Sequence, residues 1–417
     1  MTPRVLRRSS AGRRPAATAL VAIALAAGLS ACDSGGGGSG KAKAPVTPPP
    51  PAVRAAPPRS FLEKLIPPPG GILPAARVPG QIRRLVAALP VDRKVAQLLL
   101  VGFDGRDASA PFLSTLRGID VGGVVVEQRN YNGAAALGSL TGAIRSATAG
   151  RSHEAPLILA PQEGGQFSAF PDLPPQTAAG DLSGVLAAAA DAARAARTLK
   201  RLGFNGVLAP DADVGASSGT DPLGPRAYSD DPRQVSAYVA AVVAAYRSAR
   251  MLSAPLHFPG IGAATGSTDD GPAEVGLDMR ALGRRDLVPF RAAVQAGVPA
   301  IVVGHAGYAP DSFVVPGSLS HAIETNLLRF ELGFRGVAIT DDLEAGAIVA
   351  GNAIPTAAVQ AVRAGADMVR ISGPADWPTA YRALLAAVRT KQIPVARLND
   401  AVTRIITVKR ELGLRTR

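Results

Sequence analysis

Eight short apolar runs, each followed by a stretch with helical potential, constrain this chain more than any other feature. They cover residues 98–101, 123–126, 157–160, 206–209, 252–256, 300–303, 336–339 and 368–371. Stretches 181–202, 232–250 and 280–297 between them are rich in Ala, Leu and Val and long enough for helices. Near the end, Leu398, Val402, Ile405 and Leu412 fall on one stripe at helical spacing. Strands that are apolar throughout, rather than alternating, belong to a parallel sheet covered by helices. Eight such units in one stretch predict an α/β fold of the (β/α)8 TIM-barrel type, one domain over residues 89–417. Pro255 is a misfit within the fifth run, because a proline removes a ladder hydrogen bond and a closed barrel has no edge to hide it.

In such a barrel the chemistry sits just past the C-terminal ends of the strands. The third run leads into Gln162-Glu163-Gly164-Gly165-Gln166, and the fourth into Asp211 and Asp213. The fifth leads into His257-Phe258-Pro259-Gly260, the sixth into His305 and Tyr308, and the seventh into Asp341-Asp342. Carboxylates, imidazoles and amides therefore converge on one rim. No metal-ligand spacing stands out among them, so neither a metal nor a cofactor is expected. Asp342 reads as a helix cap, Glu163 as an acceptor for glycine amides, and His305 and Tyr308 as supports of the rim.

The same residues carry a family resemblance. Gly333-Phe334-Arg335-Gly336-Val337-Ala338-Ile339-Thr340-Asp341-Asp342-Leu343 resembles the nucleophile segment of glycoside hydrolase family 3, above all its single-barrel β-N-acetylglucosaminidase branch. His257-Phe258-Pro259-Gly260 is similar to that family's KHFPGHG element, and Gln162-Glu163-Gly164-Gly165 to its DQEGGR element. The stretch from Gly224 to Pro232 resembles its arginine loop. The order is collinear over about residues 89–414. The resemblance implies a retaining glycosidase with a carbohydrate substrate and no cofactor. Asp341 would be the nucleophile, and Arg226, His257 and Asp213 would bind substrate. Retention requires a second group that protonates the leaving oxygen and later activates water.

Several positions depart from the family pattern. Its acid/base histidine is absent: the four histidines are His153, His257, His305 and His321, and none lies between Phe258 and Arg280. Asp269 takes that place as the candidate acid/base, with Asp270 and Glu274 as neighbours able to substitute. Pro161, Gln166, Leu256 and Ile261 stand where the family carries aspartate, arginine, lysine and histidine. Proline and leucine side chains cannot hydrogen-bond a sugar hydroxyl, so the glycone subsite is expected to differ from that of a plain N-acetylglucosaminidase. The alternative is a catalytically silent relative that binds glycan or a protein partner.

The N-terminus adds a location. Arg4, Arg7, Arg8, Arg13 and Arg14 precede an apolar stretch from Ala16 to Leu29, and Leu29-Ser30-Ala31-Cys32 follows. A basic region, a short apolar core and small residues make a secretory signal over 1–31. The cysteine, the only one in 417 residues, makes it look like a bacterial lipoprotein box. That resemblance implies cleavage before Cys32 and lipidation of its thiol, hence a cell-membrane protein on the extracytoplasmic side. Residues 32–68, Gly/Ser-rich and then Pro-rich, read as a spacer, and 69–88 as a transition into the barrel. One thiol excludes disulfides and thiolate metal sites. The formal charge is +13, and five arginines lie in the signal, so the remainder carries +8. That excess suits anionic lipid or cell-wall polymer; with 4% aromatic residues nothing resembles a nucleic-acid module. No feature specifies assembly, and a monomer is the expectation.

Overall fold

The computed structural model describes residues 78–149, 153–216 and 223–415. The signal, Cys32, the spacer and residues 69–77 of the transition lie outside the described residues. Among the described residues, no helix is long and apolar enough to cross a membrane.

Eight parallel strands form the sheet: β1 Leu99–Val101, β2 Gly123–Val125, β3 Leu157–Pro161, β4 Gly206–Leu208, β5 Leu252–Ser253, β6 Ala300–Val303, β7 Val337–Asp342 and β8 Met368–Ile371. Their order is β5-β4-β3-β2-β1-β8-β7-β6. The remaining seam, between β5 and β6, is closed by backbone bonds beyond the end of β5. Val302 N–H donates to Pro255 O at 2.9 Å, Phe258 N–H to Val302 O at 2.8 Å, and Gly304 N–H to Phe258 O at 2.9 Å. The chain is thus a nearly closed (β/α)8 barrel. Pro255 ends the strand early, at Ser253, yet its carbonyl still serves the ladder.

Nearly every strand residue is buried, as continuous apolar runs require. The outer helices bury one stripe each. Helix Val185–Arg201 covers the barrel with Ala188, Ala192, Ala195, Ala196 and Leu199, and Val395–Glu411 with Leu398, Ala401, Val402, Ile405 and Ile406. The expected helix over 280–297 is two, Met279–Arg284 and Leu287–Gln295, broken at Arg285, whose side chain ties down the carbonyls of Val214 and Gly215. Helix Gly80–Ala88, within the transition stretch, packs Ile82 and Val86 inward against the last helix.

One irregularity positions the site. Ile339 pairs with Met368 and Asp342 with Arg370, so three steps along β7 oppose two along β8. That single extra residue is a bulge. Bulges break the in/out alternation of a strand and re-aim its side chains. β7 therefore runs on past Ile339 through Asp341 and Asp342.

Candidate active site

A cavity of about 310 Å³ opens at the C-terminal mouth of the barrel and is lined by Asp341, Asp342, Arg370, His257, Asp269, Arg226 and Glu163, with Pro161, Leu208 and Leu256. A larger recess of about 710 Å³ lies on the outer wall between helices Ile354–Ala364 and Trp377–Arg389, but no carboxylate lines it. Only the smaller one brings acids and bases together, so the chemistry belongs there.

Asp341 is 8% exposed. Its Oδ1 accepts hydrogen bonds from Asp342 N–H at 2.9 Å and from Arg370 Nη1 at 3.2 Å. Its Oδ2 stands 3.6 Å from His257 Nε2. Burial alone pushes such a carboxyl upward. Here His257, His305, Arg370 and the Asp342 amide more than offset that and hold Asp341 well below the usual carboxylate range. Asp341 is therefore an ionised carboxylate kept in a nearly dry place.

His257 links it to a second acid. Its Nδ1 lies 2.7 Å from Asp213 Oδ2. Burial and Arg226 both push the imidazole down, but the charge and hydrogen bond of Asp213, together with Asp341, raise it above its ordinary value. With both ring nitrogens protonated, Nδ1–H donates to Asp213 and Nε2–H faces Asp341. Asp213 itself is sealed at 0% exposure, and its Oδ1 accepts from Ile261 N–H at 2.8 Å. The expectation that Asp213 contacts substrate is corrected: it positions His257 from beneath.

Arg226 reaches the cavity from the loop after β4, and it pairs there with Glu163 from the neighbouring loop after β3. Nε and Nη2 each donate to Glu163 at 2.7 Å, a bidentate pair, and Nε is also 3.4 Å from Asp211 Oδ2. Glu163 therefore holds this guanidinium rather than the glycine amides. The Gly164 amide is taken instead by Ser168 Oγ, at 2.9 Å. Asp211 is 2% exposed and its Oδ2 accepts no hydrogen bond among the described residues; burial, then Asp213, drive its carboxyl well above the ordinary value. Asp211, Asp213 and His257 do place ligand-type atoms within 4.8 Å of one another, a grouping the spacing of the residues had not suggested. Those atoms already face each other and Arg226, which supplies the positive charge at this spot.

Asp269 lies exposed on the cavity wall and is the one carboxylate lining it from the loop after β5. That loop is pinned to the segment after β7: Asp269 O accepts from Gly346 N–H at 2.9 Å and Thr268 O from Ala347 N–H at 3.0 Å. Asp342 is not a helix cap. Its Oδ1 accepts from Glu344 N–H at 3.2 Å and Ser372 N–H at 3.3 Å, joining β7 to the end of β8. His305 and Tyr308 do support the rim: His305 Nε2 donates to Asp342 O at 2.8 Å, and Tyr308 Oη to Gly260 O at 3.0 Å.

Sequence reasoning missed Arg370 and Glu127. Arg370 Nη2 donates to Glu127 Oε1 at 3.1 Å while Nη1 holds Asp341, and Ser372 Oγ also donates to Glu127, at 2.7 Å. Burial works against the guanidinium's charge, but Asp342, Asp341 and Glu127 outweigh it and raise its already high pKa. The available signal was an arginine inside a four-residue buried strand, a place where a charge is kept only when it is paired.

Residues 90–408 match the glycosyl hydrolase family 3 N terminal domain. A beta-hexosaminidase of Stenotrophomonas maltophilia strain K279a is 32% identical over 290 residues, which is 66% of this chain and 84% of that protein. The family 3 beta-N-acetylglucosaminidase structure from Paenibacillus sp. str. FPU-7 superimposes with a TM-score of 0.74 at 30% identity, covering 78% of this chain and 63% of that one. M tuberculosis LpqI superimposes with a TM-score of 0.71 at 28% identity, over 79% of this chain and 96% of that one. Barrel, cavity and likeness agree: this chain belongs to glycosyl hydrolase family 3 and is a glycoside hydrolase.

Proposed function

We propose that the protein hydrolyses β-linked N-acetylhexosaminides with retention of configuration. The observation that carries this reading is Asp341, an ionised and nearly buried carboxylate on a cavity large enough for a sugar. A carboxylate so placed attacks the anomeric carbon as the bond to the leaving oxygen breaks, and that oxygen takes a proton from Asp269. Asp269, now a carboxylate, removes a proton from water; the water oxygen bonds to the anomeric carbon and Asp341 is released. His257 and Arg370 keep Asp341 charged, and Arg226 and His257 offer donors to sugar hydroxyls. The beta-hexosaminidase names of its relatives support an N-acetylhexosaminide as substrate. Cell-wall or external carbohydrate is the proposed source, with export and a lipid anchor at Cys32 supported by the basic, apolar and small-residue order around it.

Kinetics on a panel of aryl β-glycosides test the reading. The wild type should turn over the N-acetylhexosaminide, and Asp341→Asn should lose at least about 10³ in kcat, the scale of one essential catalytic group. Equal rates for wild type and variant across the panel would return the protein to the alternative, a silent glycan- or protein-binding lipoprotein. Cys32→Ser should move the protein out of the membrane fraction; unchanged fractionation would remove the anchor.

A further inference from the structure

We infer that the glycone subsite selects hexosamines without a hydroxyl at C6, that is, 6-deoxy sugars. This rests on the glycosidase reading above and names the substrate within it. The argument starts from the order of strands around the barrel. β3 and β7 are four places apart in a ring of eight, so they face each other across the mouth. Asp341 belongs to β7, and Pro161 ends β3. The anomeric carbon has to meet Asp341, so the C4–C5–C6 edge of the pyranose points across to β3 and its neighbours.

Three apolar side chains stand on that wall, beside Glu163 and Arg226. Pro161 pairs in register with Leu208 of β4, and Leu256 follows β5 next along the ring. All three line the same cavity as Asp341. Glu163, the acceptor on this side, is engaged, taking two hydrogen bonds at 2.7 Å from Arg226 Nε and Nη2. Asp211 lies beneath, 2% exposed and off the cavity lining. A C6 hydroxyl pressed against Pro161, Leu208 and Leu256 gives up its water and gains no partner among the described residues, which is unfavourable. A methyl at the same place buries apolar surface and leaves nothing unsatisfied.

The test compares nitrophenyl N-acetyl-β-glucosaminide with its 6-deoxy counterpart on the wild-type protein. The deoxy substrate should show a kcat/KM about 10-fold or more higher, the scale on which a small apolar contact discriminates. Pro161→Asp places an acceptor on the wall and should lower that ratio about 10-fold; Pro161→Ser makes the same test if the aspartate variant does not fold. A wild-type ratio near or below one overturns the inference and leaves the glycosidase reading intact. No turnover of either sugar removes the glycosidase reading and this inference with it.

Discussion

Arg370 Nη1 stands 3.2 Å from Asp341 Oδ1, and Arg370 Nη2 stands 3.1 Å from Glu127 Oε1. One guanidinium thus joins the carboxylate of β7 to an acid beyond β2. The pair keeps Asp341 ionised and makes it a better leaving group when the glycosyl ester breaks down. It also lowers the carboxylate's basicity during attack, so its removal affects the two half-reactions in opposite senses. Arg370→Leu should move the acidic limb of kcat/KM upward by about 1 pH unit or more, the shift expected from removing an opposite charge at this distance. An unmoved limb would show that His257, His305 and the Asp342 amide set the charge on Asp341 without Arg370.

Asp213 acts through His257. With the imidazole above its ordinary value because of Asp213 and Asp341, replacing Asp213 by Asn removes one of those supports. The imidazole should then lose its proton at a lower pH, and the basic limb of kcat/KM should move down by about 1 unit. Because Asp213 is fully buried and the change is isosteric, the fold should persist, which circular dichroism checks.

Asp269 is tested by leaving-group dependence. Asp269→Ala should lose about 10²–10⁴ on substrates whose leaving group needs a proton, and far less on dinitrophenyl glycosides, whose leaving group does not. Added azide should restore turnover and yield a β-glycosyl azide. Equal losses on both substrate types, with no azide product, would assign the proton transfer to another group.

Stability has its own pH signature, away from the mouth. Glu324 is 0% exposed in the π-type helix Ala322–Glu331, and neither carboxylate oxygen has a hydrogen-bond partner among the described residues. Burial pushes it up to about 8, with Arg329 and Arg397 pulling down and Asp367 pushing up. A folded value above the unfolded one means the folded state holds the extra proton. Its contribution to stability is full below the unfolded value near 4.5 and declines as pH rises towards 8. Glu324→Gln removes the penalty and should raise stability at pH 8 by about 1–3 kcal/mol, with a smaller effect at pH 5. Denaturant midpoints at the two pH values check this; a loss of stability at pH 8 would mean Glu324 is paired as an ion.

The barrel was legible because its signal is local. Each strand is a continuous apolar run, and all eight occur close to where those runs place them. The differences have local causes too: Pro255 cuts β5 at Ser253, and the bulge opposite Arg370 carries β7 on to Asp342. At the site, the strand-end rule put Asp341 and His257 on one rim, and the family resemblance added Arg226 and Asp269; all four line one cavity. It did not separate substrate-facing groups from those below, so Asp213 was placed one layer too high. Arg370 escaped notice because its partners, Glu127 and Asp341, come from strands far apart in sequence. Only closure of the barrel brings them together. The Glu163–Arg226 pair joins residues 63 apart and was hidden for the same reason.

The central claim is that Asp341 bonds to the sugar. Incubation with a fluorinated glycosyl donor that slows breakdown of the intermediate, followed by peptide mass spectrometry, tests it most directly. The account predicts one added sugar on the peptide containing Asp341, absent from Asp341→Asn and lost over time on transfer to fresh acceptor. A sugar carried by any other residue, or equal labelling of the variant, contradicts it.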